Sequence, residues 1–288
     1  MRPLLALALL IAAPACAADR LYLNGSFVTL EASLPRASAM LVREGRIAAL
    51  GESAALRAAA PEQTEVIDLQ GRTVIPGLVD SHIHAIRAGL SYATEVHWTG
   101  ATTIPEALQR LRDAAGALPP GGWLIVAGGW TELQFAERRR PTQEEVEAAA
   151  PDHRVYIQHL YSGALLSRSA VQALDLANNG ALLAQLKTER ASGELSGWFS
   201  GETEAITALF DLLPRPSLAQ QVEGTRAFFR TLNSLGMTGV VDPGGYNLPL
   251  EAYGAVKQLA RDQQLSLRVT YSLSAPAPGR ELADFDRL

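Results

Sequence analysis

Thiol chemistry is almost missing from this sequence. Its one cysteine, Cys16, lies in the apolar start of the chain. A disulfide needs two cysteines and a thiolate metal site needs several, so neither is available. No basic block interrupts a mild net charge of −5, which argues against nucleic acid or an anionic membrane as partner. After the first residues no apolar run reaches the length that spans a bilayer. Histidine is scarce, with five in 288 residues.

What is present begins with an export pattern. Met1-Arg2 is a short basic start, and residues 4–13 are apolar but too short to cross a membrane. Ala15-Cys16-Ala17 offers the small residues that a signal peptidase reads, so residues 1–17 are expected to be a signal peptide cleaved after Ala17. A lipoprotein signal would carry a larger aliphatic residue where Ala13 stands, and a buried first helix is the other alternative. Export implies a periplasmic or secreted protein, with no membrane attachment after cleavage. The oligomeric state is not readable.

Residues 18–73 are rich in turn signals. "DRLYLNGSFVTL", "AMLVREGRIAALG" and "EVIDLQGRTVIPGLVD" each read as a pair of strands, turning at Asn24-Gly25, Glu44-Gly45 and Gln70-Gly71. They predict a small β unit, part of a β-sandwich. From residue 74 to 288 the pattern changes to strands alternating with helices. Strand candidates are "VIPGLVDSHIH", "GGWLIVAGGW", "HRVYIQHL", "MTGVVDPGG" and "LSLRVTYSL". Between them, "TIPEALQRLRDAAGAL" aligns Ile104, Leu108, Leu111 and Ala115 on one helical face. "SLAQQVEGTRAFFRTLNSLG" ends at Gly236, a natural helix stop. Nearly all-apolar strands alternating with helices predict a parallel sheet covered by helices. The expected class is α/β, with about five βα units of a partial (β/α)8 TIM-type barrel. A closed eight-stranded barrel needs about 250 residues by itself.

His82 and His84 are separated by one residue at the end of the first of these strands. In an extended strand, residues i and i+2 face the same way, with Cα atoms roughly 6.5–7 Å apart. Two imidazoles so placed can share one cation at about 2.0–2.1 Å. The C-terminal end of a barrel strand is also where such enzymes keep their chemistry. Two histidines hydrogen-bonded within a core are the structural alternative.

"GRTVIPGLVDSHIHA", following a small β unit and opening a βα series, resembles the metal-binding start of the amidohydrolase superfamily. "GGWTELQFAERRRPTQEEVEAAAPDHRVYIQHLYSGALLSRSAVQAL" and "LNSLGMTGVVDPGG" resemble its family 3 branch, which includes N-substituted formamide deformylases. The resemblance implies a (β/α)8 barrel with one or two divalent metals, usually zinc. It implies hydrolysis of a non-peptide carbon–nitrogen bond, amide or formamide, in a small-molecule substrate by metal-activated water. His82 and His84 match the first two metal ligands. The segments that carry the family's lysine, two further histidines and aspartate do not occur, so the resemblance is to the N-terminal half only. A truncated, inactive barrel fragment that binds a ligand or partner is therefore the alternative to a hydrolase; ester hydrolysis on the same fold is another.

Other residues carry weaker expectations. Trp130 is a candidate substrate-pocket wall or a packed aromatic. His159 and Tyr161 end the third strand; the family's counterparts line the substrate side, and a hydrogen bond to a loop backbone is the structural alternative. Glu202 and Asp242 are further substrate-binding candidates, although an Asp-Pro-Gly turn needs no functional explanation. Asp80 shares the face of His82 and is a candidate either to orient its imidazole or to cap the strand end. His97 is read as a surface residue. Residues 137–140, "ERRR", are either a solvated charge run or a means of steering an anionic substrate.

Overall fold

The computed structural model describes residues 19–191, 194–245, 248–273, 279 and 281–286. The expected signal peptide and Cys16 lie outside the described residues. The chain divides into two compact units, residues 1–78 and 79–288.

The first unit holds β1 (Arg20–Leu23), β2 (Ser26–Val28), β3 (Arg36–Ala37), β4 (Ala39–Arg43), β5 (Arg46–Gly51), α1 (Ser53–Ala59), β6 (Glu65–Asp68) and β7 (Thr73–Val74). Its sheets run β5-β4-β1-β6 and β3-β2-β7. The expected hairpin at Glu44-Gly45 forms: Arg43 faces Arg46, and both turn residues have positive φ, 50° and 73°. That backbone matches the twist of a two-residue hairpin. The other two expected hairpins do not form. β1 pairs in parallel with β6, and β2 pairs in parallel with β7. Asn24-Gly25 and Gln70-Gly71 are corners at which two neighbouring segments leave one sheet for the other together. Gly71 N–H donates to Asn24 O at 2.7 Å, which ties the corners. Helix α1 was not expected either. Leu21, Leu23, Ala39 and Leu41 form the core of the four-stranded sheet.

The second unit opens with β8 (Leu78–Asp80), α2 (Ala85–Ser91), α3 (Ile104–Gly116), β9 (Trp123–Val126), α4 (Gln143–Ala149) and β10 (Arg154–His159). It continues through β11 (Gly163–Leu166), α5 (Arg168–Ala173), α6 (Gly180–Leu183), β12 (Lys187–Ala191), β13 (Glu194–Ser200) and α7 (Thr203–Phe210). It ends with α8 (Leu218–Ser234), β14 (Met237–Asp242), α9 (Gly254–Arg261), β15 (Arg268–Tyr271) and α10 (Glu281–Phe285). The class is α/β, with parallel strands joined by helices, as in part of a barrel. The five expected strands do not form one series, however. β8, β14 and β15 make one sheet, in the order β15-β14-β8. β9 and β10 lie in another, ordered β12-β13-β11-β10-β9, where β11, β12 and β13 pair antiparallel.

The five-stranded sheet is covered on both faces. On β10, Val155 and Ile157 pack with Leu124, Val126, Ile104, Leu111 and Val146 on one side. Tyr156, between them, packs with Leu166, Phe199, Ile206 and Leu209 on the other. Each such aliphatic side chain contributes about 1.5–3 kcal/mol on burial. The three-stranded sheet packs Val240 with Ala85, Ile86, Phe229 and Val256 from its helices. Helix α8 starts at Ser217, whose hydroxyl accepts the Gln220 N–H, and stops before Gly236 at φ 86°. Both ends follow from the sequence.

Candidate metal centre

Strand β8 ends at Asp80, so both histidines lie just beyond it. The expected extended geometry is corrected in part. Ile83 still donates its N–H to Val241 O of β14 at 3.1 Å, so the pairing reaches Ile83. His84 has φ −77° and ψ 61° and is already the N-cap of α2. Residues on either side of a paired one share a face, and the rings do meet. Their centroids are 5.6 Å apart with planes at 80°. Both residues are exposed.

Two carboxylates brace this turn. Asp80 Oδ1 accepts the His82 N–H at 2.9 Å, so Asp80 meets the backbone of His82. Asp242, at the end of β14, is buried. Its Oδ2 accepts the Ile86 N–H and its Oδ1 the Gly244 N–H, both at 2.9 Å. Its Oδ1 also lies 3.9 Å from His84 Nδ1. Asp80, His82, His84 and Asp242 thus gather at the C-terminal end of the three-stranded sheet. Two exposed imidazoles with adjacent rings fit a divalent cation as two of its ligands. Among the described residues no group of three or more His, Cys, Asp or Glu side chains could hold a metal.

The other candidates gather elsewhere, at one end of the five-stranded sheet. Trp130 is 3% exposed; its Nε1–H donates to Gln158 O at 2.8 Å, and it packs on Trp98 and Phe135. His159 lies against Trp130, with ring centroids 5.1 Å apart. Its Nε2 is 2.7 Å from Glu132 Oε2. The Glu132 carboxyl is held below the usual glutamate range, by its own backbone N–H first and then by His159. Tyr161 is exposed. Glu202 is exposed at the N-cap of α7 and makes no side-chain cap bond.

Sequence reasoning missed Glu132, which is 27 residues from His159 and carries no motif. It also missed the capping role of Asp242, which is 156 residues from Ile86. His97 is half-buried rather than on the surface: its Nε2 is 2.8 Å from Tyr92 O, and its ring lies on Tyr92. The "ERRR" run is largely engaged. Arg139 pairs with Glu145 through two bonds of 2.7 and 2.8 Å, Arg140 lies over Trp198, and Glu137 accepts the Ile104 N–H.

The model of the "Amidohydrolase family" matches residues 65–288, and that of an "Imidazolonepropionase-like composite domain, bacteria" matches residues 39–62. The protein LONG AFTER FAR-RED 3 of Arabidopsis thaliana is 31% identical over 80% of this chain and 39% of its own length. The N-substituted formamide deformylase of Arthrobacter pascens is 29% identical over 78% of this chain and 42% of its own. The chain therefore spans less than half the length of these curated relatives. The crystal structure of an uncharacterized metal-dependent hydrolase from Pyrococcus horikoshii superposes with a TM-score of 0.57 at 21% identity. That match covers 89% of this chain and 48% of the other, and it shows a shared fold.

Proposed function

This chain belongs to the amidohydrolase family, and on that premise we propose that it is a metal-dependent hydrolase of non-peptide carbon–nitrogen bonds. The bond is of amide or formamide type, in a small exported-compartment substrate. The observation that carries the reading is the pair of adjacent imidazoles, His82 and His84, at the C-terminal end of β8. They hold a divalent cation, and zinc suits imidazole ligands. When bound, such a cation acidifies water and polarises a carbonyl.

The chain's own residues hold the arrangement in place. Asp80 fixes the backbone of His82, and Asp242 fixes the first turn of the helix behind His84. Both rings present a lone pair only when neutral. His159, Tyr161 and Glu202, at the end of the five-stranded sheet, are kept as substrate contacts on the strength of the family resemblance alone, and the Glu132 carboxylate holds the ring of His159. Trp130 backs that ring from the core. Export to the periplasm, through the apolar start of the chain, completes the proposal.

The test is metal content by mass spectrometry, beside hydrolysis of a panel of N-formyl and N-acyl amines. His82→Ala loses both metal and activity. A protein that binds no metal, or a His82→Ala variant that keeps full metal and full activity, ends the reading. A second reading, a barrel portion that binds a ligand or partner without catalysis, is favoured by the lack of a third ligand among the described residues. It predicts metal or ligand binding with no turnover on any member of the panel.

A further inference from the structure

We infer that Asp242 is a positioning residue for His84: from β14 it caps the helix that His84 leads and takes the His84 Nδ1–H, which aims Nε2 at the cation. The inference rests on reading His82 and His84 as metal ligands.

The argument starts from the N-cap of α2. That position normally carries Ser, Thr, Asp or Asn, whose side-chain oxygen accepts an orphan N–H of the first turn. Here it carries His84, whose side chain makes no cap bond. An imidazole that serves a cation cannot also cap. The bond comes instead from another strand, where Asp242 Oδ2 accepts the Ile86 N–H at 2.9 Å. The helix therefore keeps its cap while His84 stays available.

The same carboxylate faces the ring. Its Oδ1, held by the Gly244 N–H at 2.9 Å, lies 3.9 Å from His84 Nδ1. The Asp242 side chain is 2% exposed and fixed, whereas that of His84 is 46% exposed and has room to turn. The inferred bond requires the imidazole to turn so that Nδ1 comes within hydrogen-bond range of Oδ1. A buried carboxylate is costly unless its lone pairs are satisfied, and two backbone N–H groups leave room for a third donor. Metal-binding histidines commonly donate their second N–H to such a carboxylate, which fixes tautomer and ring orientation.

Two readouts test this on the full chain: Co(II) titration, followed by its visible absorption, and nitrogen-15 NMR of the His84 ring without metal. In the native protein His84 carries its proton on Nδ1. Asp242→Ala shifts the ring toward the Nε2–H tautomer and weakens Co(II) binding about 10–100-fold. Asp242→Asn keeps one carbonyl oxygen for the Ile86 N–H but puts an amide N–H where Oδ1 accepts the Gly244 N–H and faces His84 Nδ1. It therefore keeps the helix cap, loses some stability at the Gly244 turn, and loses the tautomer preference and part of the affinity. If Asp242→Asn folds with unchanged tautomer and Co(II) affinity, or if native His84 is protonated on Nε2, the inference is overturned. A native protein that binds no Co(II) would sink the metal reading alone. The metal-free NMR result would then decide the Asp242–His84 relationship.

Discussion

A Cβ placed on Gly224 would lie 2.4 Å from the carbonyl oxygen of Gly89. Helices α2 and α8 cross at this point with backbone against side-chain-free backbone. On the other side of the crossing, a Cβ on Gly89 would meet Thr225 Oγ1 at 2.7 Å. Neither approach leaves room for a methyl group, and a backbone carbonyl cannot rotate away as a side chain can. Gly224→Val therefore forces the helices apart. Overpacking of this kind costs about 1–3 kcal/mol, and the blocked crossing puts this variant at the upper end. Urea denaturation should show a lower midpoint with an unchanged slope. Helix α2 begins at the His84 cap, so Co(II) binding should weaken as well.

Trp130 yields a prediction that separates packing from substrate contact. Its ring sits 5.1 Å from Trp98 and 5.7 Å from Phe135, and its indole N–H is spent on Gln158 O. Trp130→Ala should cost about 3–5 kcal/mol, as for other buried aromatics. Trp130→Phe keeps most of the packing, and the lost hydrogen bond costs about 1 kcal/mol. Chemical denaturation of both variants checks this. Native-like stability in Trp130→Ala would show that the ring does not support the core.

Glu95 gives a pH dependence. It is half-buried beside Val96, where the Ser91 hydroxyl donates to its carboxylate. Burial raises its pKa above the usual glutamate range, and the Ser91 hydrogen bond and His97 only oppose this. The folded state therefore binds the proton more tightly than the unfolded chain. Stability falls as pH rises from the ordinary glutamate pKa to the raised one, and the penalty persists above it. Glu95→Gln removes the penalty. It should raise the thermal midpoint at neutral pH, with the advantage fading below the glutamate range. Melting curves across that range check the sign; a gain that grows toward acid would refute it.

Local signals were legible in the sequence, and long-range pairing was not. Glu44-Gly45 and the stop of α8 at Gly236 depend on residues a few positions apart, and they form as read. Asn24-Gly25 carries the same turn chemistry, but each strand beside it found a better partner some 45 residues away, as in Arg20 with Glu65. Strand β11 is short and buried throughout, so it shows no alternation to read. β9 and β10 resemble barrel strands locally, and only their ladder partners place them in a separate sheet. At the site, the motif announced His82 and His84. The carboxylate that braces His84 arrives from a strand far along the chain, next to a Pro-Gly turn that explains itself without it.

Asp80 supplies the last prediction. Its Oδ1 accepts the N–H of His82, two residues on, so its side chain closes a local turn as the chain leaves β8. Asp and Asn make such turns equally well, because either presents the needed oxygen. A role in orienting the His82 ring would be different, since it would draw on the negative charge. Asp80→Asn and Asp80→Ala tell the two apart. If the turn is what matters, Asp80→Asn binds Co(II) as the native protein does. Asp80→Ala frees the His82 backbone and weakens binding several-fold, with a loss of about 1 kcal/mol for the missing hydrogen bond. Equal loss in both variants would assign Asp80 to the ring instead, and no loss in either would remove it from the site.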